Sequence, residues 1–312
     1  MDSSTNTSQI EFEFLPFFRS YKDGRVERYF GTDVVPASIE ESHIGVSSKD
    51  VVLVPENNIS ARLYIPATLN HTQKLPLLIY FHGGAYCFGS PFCATYHNHL
   101  TSLVAEANIV AISVDYRLAP EHPLPAAFQD SWDALKWAAS YSDGNGPDNW
   151  LNKYADFQRV FVAGDSSGST LAHAVAVKAG EEDLGGLKLL GLCAIHPDFA
   201  SKVGDLSPTS AWNFACPDTA GWDDPRINPA VDSRLSRLVC EMVLVCVAEN
   251  DEMKERGWFY YDALKKSGWK GKIEIMETPG ERHVFHLFNP ACENAVRLLQ
   301  KLASFINDQS YE

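Results

Sequence analysis

The sequence contains no uncharged apolar run approaching the ~20 residues that span a bilayer, no basic run interleaved with aromatics, and no Cys-x-x-Cys pair. The first absence removes a transmembrane helix from consideration. The second removes the electrostatic footprint of phosphate-backbone binding, and the total charge agrees. With 26 Lys and Arg against 40 Asp and Glu, the formal charge is −14, so nucleic acid is not an expected partner. The third disfavours a zinc knuckle and, with an odd total of seven cysteines, a disulfide framework as well. These thiols are expected to be reduced and mostly buried. The polar start, Met1 to Gln9, has neither the basic n-region nor the apolar h-segment of a secretory signal, which makes the cytosol the expected compartment. Residues at metal-ligand spacing are missing too, so no metal or cofactor is expected.

What is present is the composition of a folding, water-soluble chain, 45% hydrophobic and 21% charged. At roughly 150 residues per domain the 312 residues allow two domains, and the pattern favours one α/β domain, 1–312, carrying a small lid. After the polar tip, Phe12 to Phe18 and the following YKDGRVERYF mix aromatics and charges without a clear period, which suits an irregular or helical arm. DVVLVPENNISARLYIPA alternates on both sides of Glu56-Asn57-Asn58 and reads as a hairpin. Continuous apolar runs then alternate with helix-periodic segments from LPLLIYF to the closing ENAVRLLQKLASFI. That rhythm predicts a mostly parallel sheet covered by helices on both faces, with chemistry at the carboxyl ends of the strands. Ala200 to Ser236 breaks the rhythm, with several prolines and little periodicity, and reads as an excursion from the sheet.

RVFVAGDSSGSTLAHAVAV sets Gly164-Asp165-Ser166-Ser167-Gly168 between a strand and a helix, the context of a nucleophile elbow with Ser166 at its tip. A serine hydroxyl needs a base to take its proton, and the oxyanion formed by its attack needs fixed donors. His82-Gly83-Gly84-Ala85 follows a buried-type strand upstream, so the amides of Gly83 and Gly84 with that of Ser167 are the expected donors. His82 itself reads as structural. In α/β-hydrolases the acid and then the base follow the serine. Of the histidines downstream, His173 falls on the elbow helix and His196 ends a strand. His283 follows KIEIMET by one turn and is preferred over His286 as the base. MVLVCVAENDEMKERG supplies Glu249, Asp251, Glu252 and Glu255. Asp251, the first acid clear of the strand, is preferred as the group orienting the imidazole, and the others suit a solvated helix start.

HGGAYCFGS, VDYRLAPEHPLPAAFQDSWDALKW, GDSSGSTLAH, CPDTAGWDDPRINP, SGWKG and GERHVFHLFNP together resemble the plant carboxylesterases of the hormone-sensitive-lipase-like class. The resemblance runs from about Phe17 to Ile306. It implies an α/β-hydrolase fold with a small helical cap drawn from about 1–45 and 200–236, and a triad of Ser166, Asp251 and His283. It also implies hydrolysis of a small carboxylic ester without cofactor. The same group includes dehydratases and cyclases, which implies a lyase as the alternative, and receptors whose catalytic histidine is replaced. His283 is retained here. Three departures stand out: Ala85 where many relatives carry a third glycine, Thr170 where they carry asparagine, and Asp198 where they tend to carry an aromatic. The stretch before Trp212 is also shorter than in relatives, which implies a more open pocket. Ala85, Tyr86, Asp198 and Trp212 are the expected pocket residues, with Phe88, Phe92, Phe214 and Trp222 as further aromatic walls.

Overall fold

A computed structural model describes residues 9–38, 45–67, 73–202, 204 and 206–308. The chain opens with three short antiparallel strands, β1 (Ile10–Phe14), β2 (Phe18–Tyr21) and β3 (Val26–Arg28), where the sequence predicts an irregular or helical arm. The difference has a local cause. Glu11-Phe12-Glu13-Phe14 alternates with period two, and Asp23-Gly24 forms the turn before β3, with Gly24 at φ +84°. An Asp-Gly pair is the residue choice of a tight hairpin. Cross-strand pairs such as Arg19 with Glu13, 3.0 Å apart, account for the charges that obscure the period.

The predicted hairpin forms from β4 (Val46–Val54) and β5 (Ile59–Pro66), joined through a 3₁₀ turn at Pro55–Asn57 and a left-handed Asn58. It continues a sheet with β6 (Leu75–Phe81), β7 (Val110–Asp115), β8 (Ala155–Asp165), β9 (Leu189–Ile195), β10 (Met242–Ala248) and β11 (Lys272–Thr278). The order across the eight strands is β11-β10-β9-β8-β6-β7-β5-β4. The pairings from β7 through β11 are parallel, whereas β5 runs antiparallel to both of its neighbours.

Both faces of the strands are buried, so β6 shows no polar alternation. Leu77, Ile79 and Phe81 enter one core, and Leu78 and Tyr80 enter the other. Helices α1 (Ala94–Ala107) and α8 (Glu293–Ile306) cover the second core. Helices α2 (Ala126–Ala139), α4 (Ser167–Ala179) and α6 (Lys254–Lys266) cover the first. The short helices are α3 (Asn149–Tyr154), α5 (Ser210–Ala215) and α7 (Phe285–Phe288). In the segment expected to form part of a helical cap, the described residues hold α5 and three 3₁₀ turns at Gly221–Asp223, Pro229–Val231 and Leu235–Arg237. The N-terminal contribution is sheet. Among the described residues no helix is long and apolar enough to cross a membrane.

Burial leaves its mark on acid stability. His82, His99, His173, His196 and His286 are buried, and desolvation lowers the first three to about 4, His196 to about 3 and His286 well below its ordinary value. Unfolded imidazoles titrate near ~6.5, so between that pH and about 4 the unfolded chain binds these protons and the folded chain does not. Burial acts oppositely on Asp115, raised to about 6, and raises Asp165 and Asp198 as well, so these folded carboxyls gain protons first. Five neutral imidazoles outweigh these three carboxyls, so unfolding takes up protons on balance and stability rises with pH across this window. Urea midpoints should therefore fall steadily from pH 6.5 towards pH 4. A flat profile over that window would show that the imidazoles are not held neutral.

Candidate active site

Ser166 stands between β8 and α4 at φ 51°, ψ −124°, a region that L-residues occupy only when the surroundings enforce it, at a cost of ~1–3 kcal/mol. Its amide donates to the Ile195 carbonyl at 2.8 Å, which ties the elbow to β9. The glycines on either side have no room for a side chain. A Cβ on Gly164 would meet the Gly168 backbone, and one on Gly168 would meet the carbonyls of Phe81 and His82. We expect Gly168→Ala to destabilise the fold by about 3 kcal/mol, the upper end of overpacking costs, read as a lowered urea midpoint. An unchanged midpoint would mean that strand and helix can separate freely.

The structure brings Ser166, Asp251 and His283 together from the carboxyl ends of three strands. His283 Nε2 lies 3.0 Å from Ser166 Oγ, and His283 Nδ1 lies 2.8 Å from Asp251 Oδ2. The Asp251 side chain is 1% exposed, and its other oxygen accepts the Met253 amide at 2.8 Å. Burial alone would raise this carboxyl, but the hydrogen bond and charge of His283 together with that amide hold it below its ordinary value. The imidazole therefore faces an acceptor-only carboxylate on one side and a hydroxyl on the other. That arrangement keeps the Nδ1 proton in place and leaves Nε2 free to accept.

The competing acids and imidazoles fall elsewhere. Glu249 caps the turn after β11 by accepting the Gly280 amide at 2.7 Å, while Glu252 and Glu255 are exposed. His286 is buried with its ring against His99, centroids 5.0 Å apart, and His173 meets the Tyr260 hydroxyl at 2.9 Å. His82 stacks on Tyr116 with centroids 4.3 Å apart and its Nδ1 lies 2.7 Å from the Gly83 carbonyl. His196 has a positioning part that its place at a strand end does not reveal. Its Nδ1 accepts the amide of Val284 at 2.7 Å, and Val284 is a β-branched residue held at φ 45°. That contact pins the left-handed turn directly behind His283.

The donor loop departs from expectation. The Gly83 amide is already committed, donating to Tyr96 Oη at 2.9 Å and Asp165 Oδ1 at 3.1 Å. Asp165 is buried and also accepts from the hydroxyls of Tyr80 and Tyr96. Gly83 is thus glycine for space, since a Cβ there would collide with Asp165. The next two residues, Gly84 at φ +118° and Ala85 at φ +53°, turn the backbone so that their amides find no protein acceptor among the described residues. The Ser167 amide, at the first turn of α4, is likewise unspent.

The family described as alpha/beta hydrolase fold matches residues 78–287, and the carboxylesterase family matches residues 31–121. The chain is 46% identical over 312 residues to probable carboxylesterase 7 of Arabidopsis thaliana, covering 96% of this chain and 99% of that one. It is 42% identical over 322 residues to 2-hydroxyisoflavanone dehydratase of Glycyrrhiza echinata, covering 97% and 98%. The chain belongs to the α/β-hydrolase family. A solved esterase of Pyrobaculum calidifontis superposes with a TM-score of 0.67 at 28% identity, covering 83% of this chain and 84% of that one.

In this α/β-hydrolase the triad opens onto a cavity of about 150 Å³. Phe14, Phe17, Phe30, Phe88 and Phe288 supply much of its apolar wall, and Ser166, His283, Gly84, Ala85 and Asp198 its reacting and polar side. Of the expected pocket residues, Ala85 and Asp198 line it and Tyr86 and Trp212 do not. The last two are fully buried and pack edge to face behind it, centroids 5.6 Å apart. Of the further aromatics only Phe88 is in the wall. Phe92 lies under the Arg62 guanidinium, and Phe214 stacks on Phe12 at 4.4 Å. The strands β1 and β2 and the residues after them thus bring three phenylalanines that displace the expected walls. A larger cleft of about 700 Å³, bordered by Leu206, Asp232, Leu235, Trp258 and Lys266, contains none of the triad residues.

His196, Asp251 and His283 place ligand atoms within 4.8 Å of one another, a cluster that sequence spacing does not reveal. Their hydrogen bonds do not fit a metal. His196 Nδ1 is spent on the Val284 amide and His283 on Asp251 and Ser166, so the imidazole lone pairs facing the cluster are engaged.

Proposed function

We propose that this protein hydrolyses small carboxylic esters through an acyl-enzyme on Ser166. The observation that carries this reading is the continuous line from Asp251 through His283 to Ser166 Oγ, ending beside amides that have no acceptor among the described residues. His283 takes the serine proton as Oγ attacks the ester carbonyl. Gly84, Ala85 and Ser167, rather than Gly83, receive the negative oxygen of the tetrahedral intermediate. His283 then passes the proton to the departing alcohol, and a water repeats the sequence to release the acid. Asp251 holds the imidazole in the competent tautomer and stabilises its charge without taking the proton.

A cavity of about 150 Å³ is smaller than the ~300–1,000 Å³ typical of drug-sized ligands and matches the size that holds roughly one aromatic ring. Short acyl groups on small aromatic or bulky alcohols fit it best. A chain-length series of aryl esters should peak at about two to four acyl carbons, with a burst of one alcohol per enzyme. A peak at ten carbons or more would overturn the short-acyl reading, and absence of any turnover would overturn hydrolysis itself. The second reading is a lyase, in which His283 draws a proton from carbon or oxygen and the serine is not acylated; the 42% identity to the dehydratase favours it over a receptor, as does the assembled triad. A folded enzyme that shows neither turnover nor a burst with these esters would turn the choice to the lyase.

We assign the chain to a single domain whose segments 9–38 and 206–236 frame the mouth of the site. Neither nucleic acid nor membrane is needed for this chemistry, and the acidic charge opposes both. The cytosol suits its seven unpaired cysteines, six of them buried.

A further inference from the structure

Asp198 is a carboxylate in a cavity whose apolar wall is largely phenylalanine, 4% exposed and three residues beyond the end of β9; Asp165, the other carboxylate of the lining, is spent on the hydroxyls of Tyr80 and Tyr96. Its carbonyl accepts from Thr170 Oγ1 at 3.1 Å. Its Oδ2 accepts from Thr209 Oγ1 at 3.3 Å, a long bond. Among the described residues its Oδ1 has no hydrogen-bond partner. Arg256 Nη1 lies 3.6 Å from Oδ1, beyond hydrogen-bond range, because the guanidinium donates to the carbonyls of Phe199 and Ser207, both at 2.8 Å. Arg256 therefore supplies counter-charge without satisfying the oxygen.

We propose that Asp198 Oδ1 is the specificity element of the pocket, receiving a hydrogen-bond donor carried by the substrate, a hydroxyl or an ammonium group on an aromatic ester. The proposal rests on the esterase reading above and names the substrate class within it. A buried acceptor left unpaired costs ~1–3 kcal/mol, and a site built to meet a substrate hydroxyl rejects the analogue without one. The flat apolar walls hold the ring, and Asp198 selects its substituent. The Arg256 guanidinium balances the carboxylate, so a neutral hydroxyl suffices and a cation is not required. Arg256 opposes the upward push of burial on this carboxyl without cancelling it, and the unpaired Oδ1 is an acceptor site by its geometry.

The test is a matched panel of aryl esters, with hydroxyl, methoxy, aminomethyl (an ammonium at neutral pH) or hydrogen at the ortho, meta and para positions of either the acyl or the alcohol ring. Methoxy matches hydroxyl in electronic effect and cannot donate but is larger by a methyl group, so the hydroxyl-to-methoxy ratio of kcat/KM is read beside the hydroxyl-to-hydrogen ratio, and a hydrogen bond raises both. In the wild-type enzyme the best-placed hydroxyl or ammonium ester should exceed its methoxy partner by about tenfold or more, and the better of the two names the donor. Asp198→Leu should bring that ratio to about one. Asp198→Asn, which keeps an acceptor oxygen and nearly the same shape, should retain preference for hydroxyl and lose any for ammonium. A wild-type ratio below about twofold at every position overturns the proposal even if both variants fail to fold, and so does a leucine variant that keeps the wild-type ratio. Turnover of the unsubstituted ester separates this failure from the other: with it, only the role of Asp198 falls, and without it, the hydrolase reading falls.

Discussion

Ser166→Ala is expected to lower kcat on short-acyl aryl esters by about 10⁴- to 10⁶-fold while leaving the fold intact. The loss is large because the oxygen that would become covalently bound is gone, and His283 Nε2, 3.0 Å from it, has no proton to receive. The fold should survive because Oγ takes no part in holding the elbow. The backbone of Ser166 does that, through its amide to Ile195 and its carbonyl, which accepts from Ser169 Oγ at 2.6 Å. A covalent organophosphate adduct, found on Ser166 in the wild-type protein, should be absent from the variant. Retention of a tenth of wild-type kcat with an unchanged thermal midpoint would refute the nucleophile assignment.

Asp251→Asn is expected to lower kcat by about 10⁴-fold with little change in shape. The asparagine oxygen can still accept the Met253 amide, as Oδ1 does now at 2.8 Å. Its amide nitrogen would then face His283 Nδ1, and two donors cannot share that 2.8 Å contact. The imidazole relaxes by moving its proton to Nε2, which then donates to Ser166 Oγ instead of accepting from it. The variant should therefore bind esters with nearly unchanged KM and fail in the acylation step, seen as a slowed burst. Equal burst rates in the two proteins would show that Asp251 does not set the tautomer. Glu249 offers no substitute, since it is engaged with the Gly280 amide at the outer edge of the same turn.

How much of the site could be read beforehand depended on the range of the constraint behind each residue. The elbow was legible because its requirements lie within five consecutive residues, where a strand meets a helix and only glycine fits on either side. His283 and Asp251 were legible because each follows a strong apolar run by a turn, and a parallel sheet gathers such turns at one edge. The donor loop was only partly legible: a Gly-Gly pair after a strand identifies the loop, but which amides remain free depends on Asp165 and Tyr96, distant in sequence from Gly83 and in contact with it. His196 gave no signal beyond its place at a strand end, because its partner is the backbone of Val284, and a backbone partner leaves no residue type to recognise. The N-terminal strands were obscured by cross-strand charges that broke the hydrophobic period.

By itself the sequence determined the alternation of strands and helices, the two-faced burial of the sheet, the strained serine and the residues from which base and acid would come. Each follows from spacing along the chain, through side-chain period, steric room at glycine and the reach of one turn. Only the tertiary structure decided that Gly84 and Ala85 carry the unspent amides, that phenylalanines of the N-terminal segment replace Tyr86 and Trp212 around the cavity, and that Asp198 lines it and keeps one buried oxygen unpaired among the described residues. Those outcomes turn on which segments pack over the carboxyl edge of the sheet and which donors the packing has already used. Hydrophobic burial is non-directional and nearly indifferent to which aromatic fills a space, so composition alone cannot say which ring ends as wall and which as support.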